Sequence, residues 1–213
     1  MAAEMTRLSP ISFPVNPAET ETRDHWTVVQ EYESEGDGPW VIDLSHRGRW
    51  DLQDSDLANF QPAGIAVPDT PGHCDFKNGV LVNRMNQTQA SIWHLAGAHP
   101  DLPADPAYTE TIDATLFLAL IGANIFAVAE KLTALDFRDP ARPVPFLYQG
   151  PFSHVPCQMV TLERAADRGG ILLTCSRGYG RDMTHAILAA GEEFGLRPAG
   201  EKAFMRWIEA LAT

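Results

Sequence analysis

Asp43, Ser45 and His46 fall within four residues of one another in "VIDLSHRGRWDL", residues 41–52. An acid, a hydroxyl and an imidazole are the side chains of a serine-type triad. Such a triad is assembled from segments distant in sequence, because neighbours on a strand point to opposite faces and cannot meet. Ser45 also lacks the G-x-S-x-G elbow that would expose a nucleophile. The stretch is therefore read as a corner in which Asp43 and Ser45 hydrogen-bond backbone groups left free by the turn. A second candidate is "SRGYGRD", residues 176–182, where Gly178 and Gly180 precede a helix. It has neither the Walker lysine nor the third glycine of a dinucleotide fingerprint. Its two arginines at a helix start leave a small-anion site and a plain strand-to-helix turn as the alternatives. His94 and His99 have no carboxylate or cysteine at ligand spacing, so no metal site is expected.

These side chains must be placed by elements of both kinds. "HWTVVQEYE", Trp40–Asp43 and Gly48–Leu52 alternate like strands, with Glu35-Gly36-Asp37-Gly38 as a turn. "DSDLANFQPAGIAVP" starts as a helix capped by Asp54 or Ser55 and stopped by Pro62. "GVLVNRM" and "SIWHLAG" are strands around a polar centre, Asn86 to Gln89. "AHPDLPADPAY", residues 98–108, is the one internal boundary the pattern offers. Beyond it come a buried strand, "TIDATLFLALIG", and an amphipathic helix, "ANIFAVAEKLTAL". A Pro-rich connection, "DFRDPARPVPFLYQGPF", leads to the strand pair "VPCQMVTLER" and "GGILLTCS". Two helices close the chain, "RDMTHAILAAGEEFG" with Gly195 at its C-terminal cap, and "GEKAFMRWIEALAT". The expected organisation is an extended N-terminal arm over residues 1–24, a first part over 25–105 and a second α+β part over 106–213.

Composition narrows the function classes. With 213 residues, 45% hydrophobic and 21% charged, the chain can bury a sizeable core. A net charge of −12 disfavours nucleic acid and anionic membranes as partners. The longest apolar run, Leu116 to Ala129, is broken by Gly122 and Asn124 and is too short to span a bilayer. No basic region precedes an apolar segment at the N-terminus, so no signal peptide is expected. Cys74, Cys157 and Cys175, odd in number and without C-x-x-C spacing, suggest reduced thiols in a cytoplasmic protein. No set of residues specifies a reaction by itself.

The order of the pieces carries more. "WVIDLSHRGRWDLQDSD" resembles the "DLSHxGxxxVxGPDA" strand of the folate-dependent aminomethyltransferases, the T-protein family of the glycine cleavage system. "LFLALIGANIFAVAEKLTALDF", "VPCQMVTLER" and "GGILLTCSRGYGRDMTHAILAAGEEFGLRPAG" are similar to that family's second-domain strand, hairpin and helix, ending in "GLxPAG". The resemblance runs from about residue 26 to residue 204, and is strongest to the short γ subunits of heterotetrameric sarcosine oxidases. It implies an α+β, T-protein-like fold in shortened form, with two interlocked parts and no C-terminal barrel domain. It also implies a hetero-oligomeric oxidoreductase that oxidises N-methylated amines, with flavin in a partner subunit and tetrahydrofolate taking up the one-carbon unit.

Two departures from the family pattern set the expectation for this chain. The family's "VVNAxxxxKD" strand supplies a catalytic aspartate; "VLVNRMNQTQASIW" matches it through Asn83, but the aspartate position falls on Ala90. The family's "LRLExG" segment is matched by "MRWIEALAT" with Glu209 one position out of register. The resemblance thus implies an accessory subunit with no catalytic residue of its own and no cofactor assigned to it. The alternative is a stand-alone tetrahydrofolate-dependent methyl or aminomethyltransferase with a rearranged site. Asn83, Arg84 and Glu209 would then contact the pterin or the folate tail, since an arginine fork suits a carboxylate. A free-standing binding module is the third reading.

Overall fold

The computed structural model describes residues 6–211. An antiparallel hairpin comes first, β1 (Pro17–Arg23) and β2 (Trp26–Tyr32). After β3 (Trp40–Asp43) and β4 (Arg49–Gln53) the chain makes two further antiparallel pairings, β5 (Cys74–Lys77) with β6 (Val80–Arg84) and β6 with β7 (Gln89–His94). Short β8 (Tyr108–Glu110) precedes the long β9 (Thr115–Gly122) and helix α1 (Ile125–Glu130). The remainder is β10 (Phe146–Phe152), β11 (Val155–Glu163), β12 (Gly169–Ser176), α2 (Gly180–Gly191), β13 (Arg197–Ala199) and α3 (Glu201–Ala210).

Two larger sheets result. One has the order β10-β11-β12-β9-β3-β13, the other β5-β6-β7-β4-β8. Strand β3, from the first half of the chain, lies between β9 and β13 from the second, so the halves share a sheet. The alternation of β9 explains the layering, because successive side chains face opposite ways. Leu116, Leu118 and Leu120 pack with Ile125 and Val128 of α1 and Met183 and Ile187 of α2. Phe117, Ala119 and Ile121 pack instead with Leu81 and Trp93 of the second sheet and with Phe204 and Trp207 of α3. The far face of the second sheet buries Leu52, Val80, Val82, Ala90 and Ile92 beneath Leu57, Ile65 and Val67 of the connecting loop. Each such large side chain contributes about 1.5–3 kcal/mol on full burial. The mixed α/β architecture agrees with the expectation at that level. No helix among the described residues is long and apolar enough to cross a membrane.

Several local expectations are corrected. The helix expected from Asp54 is only a single tight turn, Leu57–Asn59, whose Ala58 N–H donates to Asp56 Oδ1 at 3.2 Å. Pro62 follows too soon for a helix to repay its nucleation cost. The arm expected over residues 1–24 contains β1, and its Ile11 and Phe13 are buried in the core; residues 1–5 lie outside the described residues. The Pro-rich connection contains β10. Pro151 is tolerated there because β10 is an edge strand, where a missing N–H breaks no ladder on the open side. All three cysteines are free, with Cys157 and Cys175 buried.

Candidate functional site

The corner between β3 and β4 is where the chain leaves one sheet for the other. That crossing strips backbone groups of ladder partners, and the side chains of the corner replace them. Asp43 Oδ1 accepts from the Ser45 backbone N–H at 2.9 Å, and its Oδ2 accepts from Ser9 Oγ at 2.5 Å. Ser45 Oγ, fully buried, accepts from the Phe117 N–H of β9 at 3.1 Å. His46 turns away to Glu201, with Nε2 2.7 Å from Oε1. The three side chains thus reach three different segments and make no relay, as the corner reading expects.

Arg49 completes the corner from beneath. It is 1% exposed, and its guanidinium donates to the carbonyls of Ser45, Arg47, Ile112 and Thr115 and to Thr115 Oγ1. Its charge also sits 5.1 Å from the centre of the Phe117 ring. Burial lowers Arg49 to about 10, against the raising influence of Asp43, so it stays protonated at neutral pH.

The strongest polar cluster centres on Glu201, the first residue of α3, which is 3% exposed. Oε1 accepts from His46 Nε2 and from Arg23 Nη1 at 3.0 Å, and forms an ion pair with Arg47 Nη2 at 2.5 Å. Oε2 accepts from Arg23 Nη2 at 3.0 Å and Gln30 Nε2 at 2.9 Å. A helix start also favours an acid, through the dipole. Burial alone would raise the Glu201 carboxyl. Hydrogen bonds from His46 and Arg23, with the charges of His46 and Arg47, outweigh it and hold the carboxyl far below the usual range. A base must have a pKa near the operating pH, so this carboxylate is suited to fastening segments and not to moving protons. It ties the β1–β2 hairpin, the corner and α3 together. Sequence reasoning missed it; an acid directly after "PAG" was the available signal, but its partners lie up to 178 residues away.

A small, partly open cavity of about 100 Å³ adjoins the cluster. Asp43, His46, Ser9, Trp26, Tyr32 and Ala199 are among its walls. Trp26 is 2% exposed and its indole N–H has no hydrogen-bond partner among the described residues.

The residues nominated from the sequence are placed as follows. Asn83, on β6, is fully buried; its amide donates to Ser91 Oγ across the strand pair at 3.2 Å, while its oxygen has no partner among the described residues. Arg84, beside it, donates to the carbonyls of Asn86 and Gln87 at 2.6 Å each. Glu209, near the end of α3, lines a separate cavity of about 550 Å³ with Phe76, Lys77, Pro145 and Leu162, and neither Asn83 nor Arg84 is in its wall. Ala90, which the sequence resemblance sets against the transferases' aspartate, is fully buried in the apolar cluster beneath Leu57 and Ile65. Among the described residues no three of His, Cys, Asp and Glu are grouped as metal ligands would be. The "SRGYGRD" segment forms a turn into α2, where Arg177 donates to the Leu8 carbonyl.

No family model matches the chain, and no curated protein matches it by sequence. Solved structures do match by fold. One is a chain of heterotetrameric sarcosine oxidase from Corynebacterium sp. U-96, in complex with pyrrole 2-carboxylate, with a TM-score of 0.61 at 12% identity. That match covers 72% of this chain and 84% of the oxidase chain. Another is the glycine cleavage system aminomethyltransferase T from Bartonella henselae, with a TM-score of 0.63 at 12% identity. It covers 88% of this chain, which spans 57% of the transferase's length. At this identity the likeness is one of fold: the chain has the fold shared by aminomethyltransferase T and this chain of sarcosine oxidase.

Proposed function

We propose that the chain is an accessory subunit, without catalytic residues of its own, of a heteromeric oxidase or demethylase of N-methylated amines linked to tetrahydrofolate-dependent one-carbon metabolism. The observation that carries this reading is Ala90. Where the sequence resemblance places the transferases' carboxylate, this chain has a methyl group fully buried among apolar side chains. A methyl group can neither accept a proton nor hold a cationic amine. Support for an assembly comes from the match over 84% of a chain belonging to a heterotetramer. On this reading residues 25–105 and 106–213 are two interlocked parts of a shortened T-protein-like unit, and a partner subunit bears the flavin. The test is purification of the tagged protein from its own host. A flavin-bearing companion should co-elute in fixed ratio; a lone stable monomer overturns the reading.

One observation favours a second reading, a tetrahydrofolate-dependent transferase. The buried Asn83 oxygen lacks a partner, as an acceptor awaiting a ligand would. Against it, Arg84 spends its donors on its own turn and Glu209 faces a different cavity. Calorimetric titration with tetrahydrofolate separates the two. Binding tighter than about micromolar, roughly 8 kcal/mol, favours the transferase.

A further inference from the structure

Cys157 and Cys175 lie on neighbouring strands of the larger sheet. The β11–β12 ladder pairs Gln158 with Thr174, and one more step of that register sets Cys157 opposite Cys175. Their backbone directions follow from the strands on either side. The Arg177 N–H donates to the Ala114 carbonyl, so Cys175, two residues earlier on β12, also turns its N–H and C=O towards β9. The Ser153-His154 turn, at φ of +48° and +68°, makes Phe152 and Val155 the hydrogen-bonded pair that closes β10 on β11. Cys157, two residues on, therefore turns its backbone towards β10. Neither backbone points at the other cysteine, which makes the two a non-hydrogen-bonded pair. Residues opposed in that way have Cα atoms about 4.5 Å apart, inside the range of about 4.4–6.8 Å that disulfides take.

The side chains meet on the helix-covered face of the sheet, in one core cluster with Phe152, Val155, Met159 and Leu173. The two thiols are hydrogen-bonded to each other, and that contact, together with burial, pushes the Cys157 thiol well above its ordinary value. Cys157 Sγ also lies 3.2 Å from the Val155 carbonyl, and Cys175 Sγ 3.7 Å from that of Ser176. Cys74 is on β5 in the other sheet and serves as an internal control. The pair is 6% and 5% exposed, so access decides whether it reacts. It stands one step beyond the last paired rung of β11 and β12, with Pro156 and Ser176 exposed beside it. Local opening at such an end admits an oxidant as small as hydrogen peroxide. Few thiolates form there at neutral pH, so the reaction is slow and quickens as pH rises.

We propose that Cys157 and Cys175 form a reversible oxidation site, at which hydrogen peroxide converts the dithiol into an intrachain disulfide that ties β11 to β12. One thiolate attacks a peroxide oxygen and breaks the O–O bond, giving a sulfenic acid and a hydroxide that takes up the thiol proton as water. The second thiolate attacks the sulfenic sulfur, forming the S–S bond and expelling hydroxide, which takes up the second thiol proton. The two thiols lose two electrons and two protons, and the peroxide becomes two waters. The bond closes the hairpin into a loop and restricts the unfolded chain. This site goes beyond the accessory-subunit reading and does not depend on it, since both thiols belong to this chain.

The test is peptide mass mapping of the folded full chain after exposure to hydrogen peroxide without denaturant, with free thiols alkylated before digestion. Trypsin cleaves after Arg164 and Arg168, between the two cysteines, so their disulfide appears as two joined peptides. The expected product is that joined pair, lighter by two hydrogens and separated again by dithiothreitol, while Cys74 remains open to alkylation. It should form at least tenfold faster than Cys74 is oxidised. The urea midpoint of the oxidised chain should rise and return on reduction. In Cys175→Ala the intrachain disulfide should be absent and dimedone should trap a sulfenic acid on Cys157. The mapping needs no variant, so a poorly folding substitution does not weaken it. Thiols of the pair left intact at peroxide concentrations that oxidise Cys74, sulfinic acid without the disulfide, or a disulfide formed only in urea overturns the assignment.

Discussion

Replacing Glu201 by Gln keeps the shape of the side chain and removes its charge, so its effect can be worked from the bonds it breaks. Five nitrogens converge on the two carboxylate oxygens, three on Oε1 and two on Oε2, four of them in hydrogen bonds and Arg47 Nη2 in an ion pair. An amide must place NH2 at one of those positions, turning two or three hydrogen bonds into donor facing donor. Arg47, whose side chain is 9% exposed, would be left beside Arg23 with no carboxylate between them. Removing one partner of a buried ion pair costs about 3–5 kcal/mol. Arg23 is 37% exposed and water screens its share, so the lower part of that range applies. We expect a loss of about 3–4 kcal/mol, which for a chain of this size is a fall of roughly 6–16 °C in Tm. Urea unfolding at neutral pH, followed by tryptophan fluorescence, measures it. A loss below about 1 kcal/mol with unchanged slope would refute the account of Glu201 as the fastener.

The pH profile gives an independent check on the same residue. The folded-state pKa of Glu201 lies below its ordinary value of 4.5. Its contribution is therefore fully present above the unfolded-state value, and is lost as pH falls from there through the folded-state value. In that acid window the unfolded chain binds the extra proton, so stability falls with pH by up to about 1.4 kcal/mol per unit from this group. Glu201→Gln should lack that increment of slope. Its stability deficit relative to the parent should therefore shrink as pH drops below about 4.5.

Arg49→Lys should cost about 3 kcal/mol in the same assay, because one ammonium cannot reach the four carbonyls that the planar fork spans; a cost under about 1 kcal/mol would show the fork to be dispensable. Ala90→Asp should destabilise by several kcal/mol at neutral pH, since the new carboxylate would be unpaired among Leu52, Val82 and Ile92. Burial raises such a group's folded-state pKa, so the folded chain holds its proton longer and the deficit should grow as pH rises above about 4. A variant of parental stability at neutral pH would show that the site is wetter than its neighbours imply.

The parts of the fold that could be read from sequence are those whose periodicity is unambiguous. The run "TLFLALIG" became β9, and the spacing of Met183 and Ile187 marked the buried face of α2, with Gly195 in the left-handed conformation expected of its cap. The first strand pair of the second sheet was only half legible. "CDFK" has no apolar alternation, yet it pairs as β5 because Asn78-Gly79, at φ of +51° and +78°, makes the tight hairpin turn that presses it onto β6. That dipeptide was the missed signal. Strand β10 was hidden by prolines that an edge position tolerates. The Glu201 cluster was illegible for a different reason. His46, Arg23 and Gln30 lie 155 to 178 residues from it, and no local pattern encodes which charges a fold will bring together.

The distribution of charge bears directly on what the chain can do. Glu201 has every acceptor position taken and a carboxyl held far below working pH, while Arg47 and Arg49 are occupied with Glu201 and with backbone carbonyls. Groups held so firmly can neither take a proton nor follow a charge as it develops, which is what acid–base catalysis requires. They do fix the hairpin, the corner and α3 as one unit, presenting an outer strand, β1, with six of its seven residues exposed. If the assembly reading holds, weakening this unit through Glu201→Gln should lower the yield of intact complex while leaving turnover per assembled complex unchanged. A fall in turnover at full assembly would place reacting groups in this chain after all, and the accessory role would have to be abandoned.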